Sequence, residues 1–247
     1  VPEPTPKVTP EVTPEQELVR KRGMEANVCF LSSLVPCASG HTELSATWLD
    51  FGVAQATVFV PDDYRYLRNR IVFPIYNAAG GLTGFGGRRP MAASEEEPKY
   101  VNSPNSLWFD KSRMLYGIHR AVEAIRREGF AYLTEGYKDT LAMHAAGFSN
   151  TVALCGTNLS EHHIAMIRKE AVTVCLFLDA DEVGRETVTG VMPKLRSAGL
   201  RVVDILPEGG KDADEMFRSL GREAFIHWVE KAMIPPARRK VESLLVA

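Results

Sequence analysis

Acidic side chains recur here at spacings that a divalent cation can use. Glu135, Asp139, Asp179, Asp181, Asp212 and Asp214 stand in three short runs, E-G-Y-K-D, D-A-D-E-V-G and K-D-A-D. Carboxylates crowded together repel one another, and the crowding is costly unless a cation neutralises it. Oxygen-only ligand sets suit hard cations, so these runs point to Mg2+ or Mn2+ rather than zinc. A D-x-D run alone is an ordinary turn or helix cap. The signal lies in where the runs fall.

The second half of the chain supplies their positions. A-Y-L-T, ending on Glu135, reads as a short buried strand, and the helix after it runs through Met143 to a stop at Gly147. T-V-A-L-C is the next strand, and Ser160 caps a helix to about Lys169. V-T-V-C-L-F-L is a strongly apolar strand ending on Asp179, followed by a helix over 183–197 that Gly199 ends. R-V-V-D-I-L is the fourth strand, with short helices over 213–220 and 222–233. Apolar strands alternating with amphipathic helices predict a parallel sheet covered on both faces. Such sheets bind ligands beyond the carboxyl ends of their strands, and that rim is where the acids gather. Gly136 and Gly184 let the backbone turn tightly from strand into helix there.

The first half is less regular. V-P-E-P-T-P-K-V-T-P-E-V-T-P predicts an extended tether over 1–14, followed by a helix over 15–25. Residues 44–60 carry no clean period. R-I-V-F-P-I-Y, A-A-G-G and L-T-G-F-G-G-R read as strand, turn and strand, and the later glycines as hairpin geometry. They do not form a G-x-G-x-x-G fingerprint, and no Walker lysine follows. A glutamate-rich loop spans 92–98, and a helix within 113–128 carries Leu115, Ile118, Val122 and Ile125 on one stripe. The expected fold is therefore α/β: a linker (1–14), an α+β lobe (15–128), a parallel-sheet α/β domain (129–220) and a helical segment (221–247).

Bulk properties exclude little. A net charge of −2 neither advertises nor forbids a nucleic-acid partner, since the distribution of charge decides. No apolar run is long enough to span a bilayer, and no signal-peptide pattern opens the chain, so a membrane is not expected. Four scattered cysteines without a C-x-x-C pair read as a reduced, cytoplasmic protein. Cys29, Cys37 and His41 fit no standard zinc spacing, so no zinc is expected in this chain. Opening on Val1 and a tether, the chain reads as a piece of something longer.

The motifs together resemble a known family. E-G-Y-K-D and D-A-D-E-V-G look like the TOPRIM module shared by primases and topoisomerases, with L-C-G-T as its second strand and K-D-A-D as its third acidic element. Upstream, R-I-V-F-P-I, G-F-G-G-R, P-K-Y-V-N-S-P and L-Y-G resemble the part of bacterial-type and phage-type DNA primase cores that precedes TOPRIM. Topoisomerases and TOPRIM nucleases share the second half only, so the upstream set decides between them. Residues 15–69 match the family's N-terminal lobe poorly.

The resemblance implies a metal-dependent nucleotidyltransferase that makes short RNA primers on single-stranded DNA. Glu135 takes the family's metal or acid–base role, Asp179 and Asp181 its metal-binding aspartates, and Asp139, Asp212 and Asp214 complete the patch, with two or more ions of Mg2+ or Mn2+. Arg88, Lys99, Asn102 and Lys111 match the basic ridge that grips template, with Arg89 and Arg113 beside them. Glu95 to Glu97 would point away from DNA. Tyr137 and Trp108 read as half-buried aromatics, and His162 and His163 as exposed residues without a role. Expected partners are single-stranded DNA, nucleoside triphosphates, a replicative helicase and an upstream zinc-binding module. The rival readings are a TOPRIM nuclease, a topoisomerase-related protein and a non-catalytic single-strand binding module.

Overall fold

In the computed structural model, residues 13–40, 42–56, 59–90, 97–156, 158–207 and 212–233 are described. The first element, α1 (Pro14–Ser32), starts where local chemistry demands. Thr13 and Gln16 form a reciprocal capping box, and Pro14 takes the first helical position. The helix outruns the expected 15–25 because its last turns are held from outside. Phe30 stacks on Tyr64 at 3.9 Å, and the Asn27 amide donates to the Thr83 carbonyl at 3.1 Å. The predicted linker thus ends at the cap, and the rest of it, 1–12, lies outside the described residues.

Five antiparallel strands follow in spatial order β1 (Val35–Pro36), β2 (Ala54–Gln55), β3 (Ile71–Tyr76), β4 (Leu82–Arg88) and β5 (Tyr100–Asn102). Helix α2 (Thr42–Asp50) lies between the first two, so the stretch without a clean period contains a helix that buries Leu44 and Trp48. Strands β3 and β4 are joined through a turn at 77–81, where Gly80 takes φ +81°.

The glycines of G-F-G-G-R do not serve that turn. They lie inside β4, where a Cβ on Gly84 would meet the Phe109 ring at 2.6 Å and one on Gly87 would meet Leu67 at 2.7 Å. Close packing, rather than hairpin geometry, explains them.

The second sheet is fully parallel, in order β7-β6-β8-β9: β6 (Phe130–Thr134), β7 (Thr151–Ala153), β8 (Thr173–Phe177) and β9 (Arg201–Asp204). Its strands bury both faces by alternation. Ala131, Leu133, Val174 and Leu176 face one cluster with α3 (Ile118–Glu128), α5 (Glu161–Glu170) and α6 (Glu182–Ser197). Tyr132, Cys175 and Phe177 face the other, with α4 (Tyr137–Ala146), α7 (Ala213–Leu220) and α8 (Arg222–Met233). In α3 the buried stripe is Ile118, Ala121, Ala124 and Ile125. Leu115 precedes the helix, and Val122 is only half-buried.

The second cluster does not stop at the sheet. Leu44, Trp48, Phe51, Phe73, Ile75 and Phe109 of the antiparallel lobe belong to it. The two sheets therefore share a core.

Candidate metal centre and its basic surround

Glu135 and Asp179 leave neighbouring parallel strands, since Thr134 pairs with Phe177 at the ends of β6 and β8. The glycine after Asp179 is sterically required, and the one after Glu135 stands in a tight place. A Cβ on Gly184 would lie 1.9 Å from the Asp179 carbonyl oxygen, and one on Gly136 would stand 3.0 Å from Asp139 Oδ2. Asp139, in the first turn of α4, is buried and joins two loops: Oδ2 accepts from the Gly136 N–H and Oδ1 from the Asp214 N–H, both at 3.2 Å.

These constraints bring carboxylates together. Oxygens of Asp139, Asp179 and Asp212 all lie within 4.8 Å of one another. Glu135 stands beside them, its Oε2 buried without a hydrogen-bond partner. Asp181 is exposed and caps α6, its Oδ1 accepting from the Gly184 N–H at 2.8 Å; Asp212 caps α7 the same way, from the Glu215 N–H at 2.7 Å. Asp214 differs from the rest. It is 1% exposed, and its oxygens are taken by Lys138 and by Arg218, the latter at 2.9 Å.

The electrostatics record the crowding. Burial, then Glu135, Asp212 and Asp181, push the Asp179 carboxyl up to about 7, with Lys99 pulling the other way. Burial and the neighbouring carboxylates of Asp212 and Asp179 hold Asp139 far above the usual range, and burial and Asp181 raise Glu135. Clustered oxygens, an unpartnered carboxylate oxygen and disfavoured ionisation suit a divalent cation.

The basic residues fall in two groups, of which Lys99 acts on Asp179 of the rim. Arg88, Lys99 and Asn102 come from the paired β4–β5 edge, where Arg88 faces Tyr100 and Gly86 faces Asn102. Arg88 and Lys99 both lie about the Tyr100 ring, at 6.0 and 5.9 Å from its centroid. Lys99 is exposed, whereas the Arg88 Nε is buried without a partner. The Arg89 N–H donates to the Lys99 carbonyl at 3.1 Å.

The second group sits in the 3-10 turn Lys111–Arg113, with Arg113 exposed. Lys111 passes so close to Gly156 that a Cβ there would meet its Nζ at 2.8 Å, and it shares a small gap with Asn102, Tyr137 and Cys155. Glu97 is turned to Arg70 at 3.1 Å, while Glu95 and Glu96 lie outside the described residues.

Other expectations change. Tyr137 is fully enclosed, stacked on Phe73 at 4.9 Å with its hydroxyl donating to Asn102 Oδ1, so it offers no face to a base. Trp108 is half-buried as expected, covering Gly23 of α1. His162 is exposed as expected, but His163 is buried: its Nε2 donates to the Lys111 carbonyl at 3.1 Å and its Nδ1 accepts from the Ser160 N–H at 3.3 Å. It is the third residue of its helix, and the capping box with Ser160 was the available signal. Lys138, inside the first acidic run, carries no local signal of its partnership with Asp214. Cys29 is exposed and Cys37 half-buried, both as free thiols; His41 lies outside the described residues.

A parallel sheet with acids on its carboxyl rim, joined to an antiparallel lobe with basic residues at its β4–β5 edge, defines a Toprim-type core. A Toprim-like family model matches residues 132–217, and the model for the N-terminal domain of the DNA primase catalytic core matches 40–122. The chain belongs to the DNA primase catalytic-core family. That second match takes in 40–69, where the sequence alone showed little likeness.

The chain is 40% identical over 162 residues to the DNA primase of Halalkalibacterium halodurans, covering 66% of this chain and 26% of that protein. Among solved structures, the RNA polymerase domain of Mycobacterium tuberculosis primase DnaG superposes with a TM-score of 0.73 at 25% identity, covering 86% of this chain and 84% of that one. The Aquifex aeolicus primase, with its zinc-binding and RNA polymerase domains, gives a TM-score of 0.63 at 31% identity over 89% and 56% of the two chains.

Proposed function

We propose that this chain is the polymerising core of a primase: it joins nucleoside triphosphates into short RNA primers along single-stranded DNA. The observation that carries the reading is the convergence of Asp139, Asp179 and Asp212 oxygens within 4.8 Å at the rim of a Toprim-like sheet. Asp139, Asp179 and Asp212, with Glu135 and Asp181 beside them, would hold Mg2+ or Mn2+, as a pair if both sides of the rim fill. Bound there, such ions neutralise phosphate charge and lower the pKa of the attacking hydroxyl.

The chain's own residues do the rest. Asp139 fixes the two loops that carry the ligands. Lys99 and Arg88 in one group, and Lys111 and Arg113 in the other, would offer positive charge to a template backbone and a triphosphate. Phosphate contacts of this sort fix register without reading sequence. Phosphoryl transfer asks mainly for positioning and charge neutralisation, which this surround supplies. Among the described residues no helix is long and apolar enough to cross a membrane. A replicative helicase and a zinc-binding module, the latter present in the Aquifex aeolicus structure, are the proposed protein partners.

The test uses a labelled RNA primer annealed to a DNA template, with Mg2+ or Mn2+ and nucleoside triphosphates. Lengthening of the label is expected. Shortening of it would replace the reading with a nuclease, and binding without either would leave a single-strand binding module.

A further inference from the structure

A buried carboxylate needs charge partners, and Asp214 has two of different kinds. Arg218 lies one turn along the same helix, with Nε 2.9 Å from Oδ1, so that pair forms wherever α7 lies. Lys138 belongs to α4, and its Nζ donates to Asp214 Oδ2. The pair therefore ties one helix to another. It reinforces a backbone contact at the same place, the Asp214 N–H on Asp139 Oδ1 at 3.2 Å. Asp212 caps α7 through the Glu215 N–H, so its carboxylate goes where the first turn of α7 goes.

We propose that Lys138 is a positioning residue for the acid rim. By gripping Asp214 it seats the first turn of α7 so that Asp212 meets Asp139 and Asp179, and it withholds Asp214 from the cation's ligands. The inference rests on the reading that this rim holds a divalent cation. Two other roles for the same lysine make different predictions. A cation that merely neighbours the acids competes with the metal, and its removal tightens metal binding. A plain stabilising staple lowers the melting temperature and leaves the affinity alone.

The experiment titrates Mn2+ into the whole chain without nucleotide and follows free Mn2+ by its electron paramagnetic resonance signal. Lys138→Gln is expected to weaken Mn2+ binding about tenfold or more, the scale on which groups that orient metal ligands act. Lys138→Arg, which keeps the charge and a donor, is expected to recover most of the loss. Because Lys138 acts through Asp214, the double variant Lys138→Gln with Asp214→Asn should bind no more weakly than Asp214→Asn alone. Should Lys138→Gln fail to fold, Asp214→Asn removes the same grip from the other side and must weaken Mn2+ binding as well. Unchanged or tighter binding by the folded variants, or full additivity in the double, overturns the proposal while leaving the cation reading intact. No Mn2+ uptake by the parent chain overturns both.

Discussion

The phenol ring of Tyr137 lies over Gly86, where a Cβ would stand 2.3 Å from a ring carbon. Tyr137 opens α4 just after the Glu135–Gly136 turn, and Gly86 sits in mid-β4, so the contact couples the acid-bearing helix to the antiparallel sheet. Phe73 stacks on the ring, and Tyr116 meets it edge-on at 4.8 Å. The ring is enclosed on these sides and has little room to yield.

Gly86→Ala is therefore expected to destabilise the chain by about 1–3 kcal/mol, the usual cost of overpacking. Urea unfolding should show a lower midpoint at unchanged slope. A midpoint equal to the parent's would mean that the ring can move aside.

Asp179 makes stability depend on pH. Its carboxyl rises from an ordinary 3.8 to about 7 in the folded chain, so between those values the folded state binds more protons than the unfolded one. Stability from this group is complete at low pH and lost as pH rises through about 7. Asp179→Asn should flatten that fall in thermal unfolding with a chelator present, while abolishing nucleotide addition. An equal fall in parent and variant would place the titration elsewhere.

Lys99 is exposed, and Asp179 feels its charge. Lys99→Ala should weaken single-strand binding alike for all sequences and reduce the salt slope by roughly 0.7 for one lost phosphate contact. An effect confined to one template sequence would argue for base readout instead. The half-buried Arg88 is a poorer probe, because its loss also unpacks Tyr100.

His163 is held neutral, its pKa pushed below the ordinary 6.5 by burial. His163→Ala leaves the Lys111 carbonyl and the Ser160 N–H without their partner and should cost about 1–3 kcal/mol near pH 8. The unfolded parent takes up the proton first as pH falls, so the parent loses this advantage at acid pH. Denaturant midpoints of parent and variant should converge toward pH 5, and a constant gap would contradict the neutral, buried assignment.

What could be read in advance followed from locality. Glu135 and Asp179 stand out because each ends an apolar strand and a glycine follows, and both helices at 213–220 and 222–233 appear where their patterning put them. The fate of Asp214 was not legible, because its partner Lys138 is remote in sequence and nothing local distinguishes a paired acid from a free one. The glycines of β4 were misread for the same reason. The side chains that crowd them, Phe109, Tyr137 and Leu67, arrive from other segments. Helix α1 was cut short because only Asn27 and Phe30 are buried along it, too few to make a period.

The core shared by the two sheets also orders events in time. Leu44, Trp48 and Phe51 pack in one cluster with Phe217, Phe225 and Val229, which leave the ribosome much later. At synthesis rates of about 5–20 residues per second, the earlier side chains wait roughly ten to forty seconds for the later ones. The smaller cluster of Phe30, Leu67, Val72, Leu82 and Phe85 can close meanwhile, since all its members emerge early. Until those later helices arrive, the apolar side chains of the antiparallel lobe that belong to the shared cluster lack the partners that bury them in the finished fold.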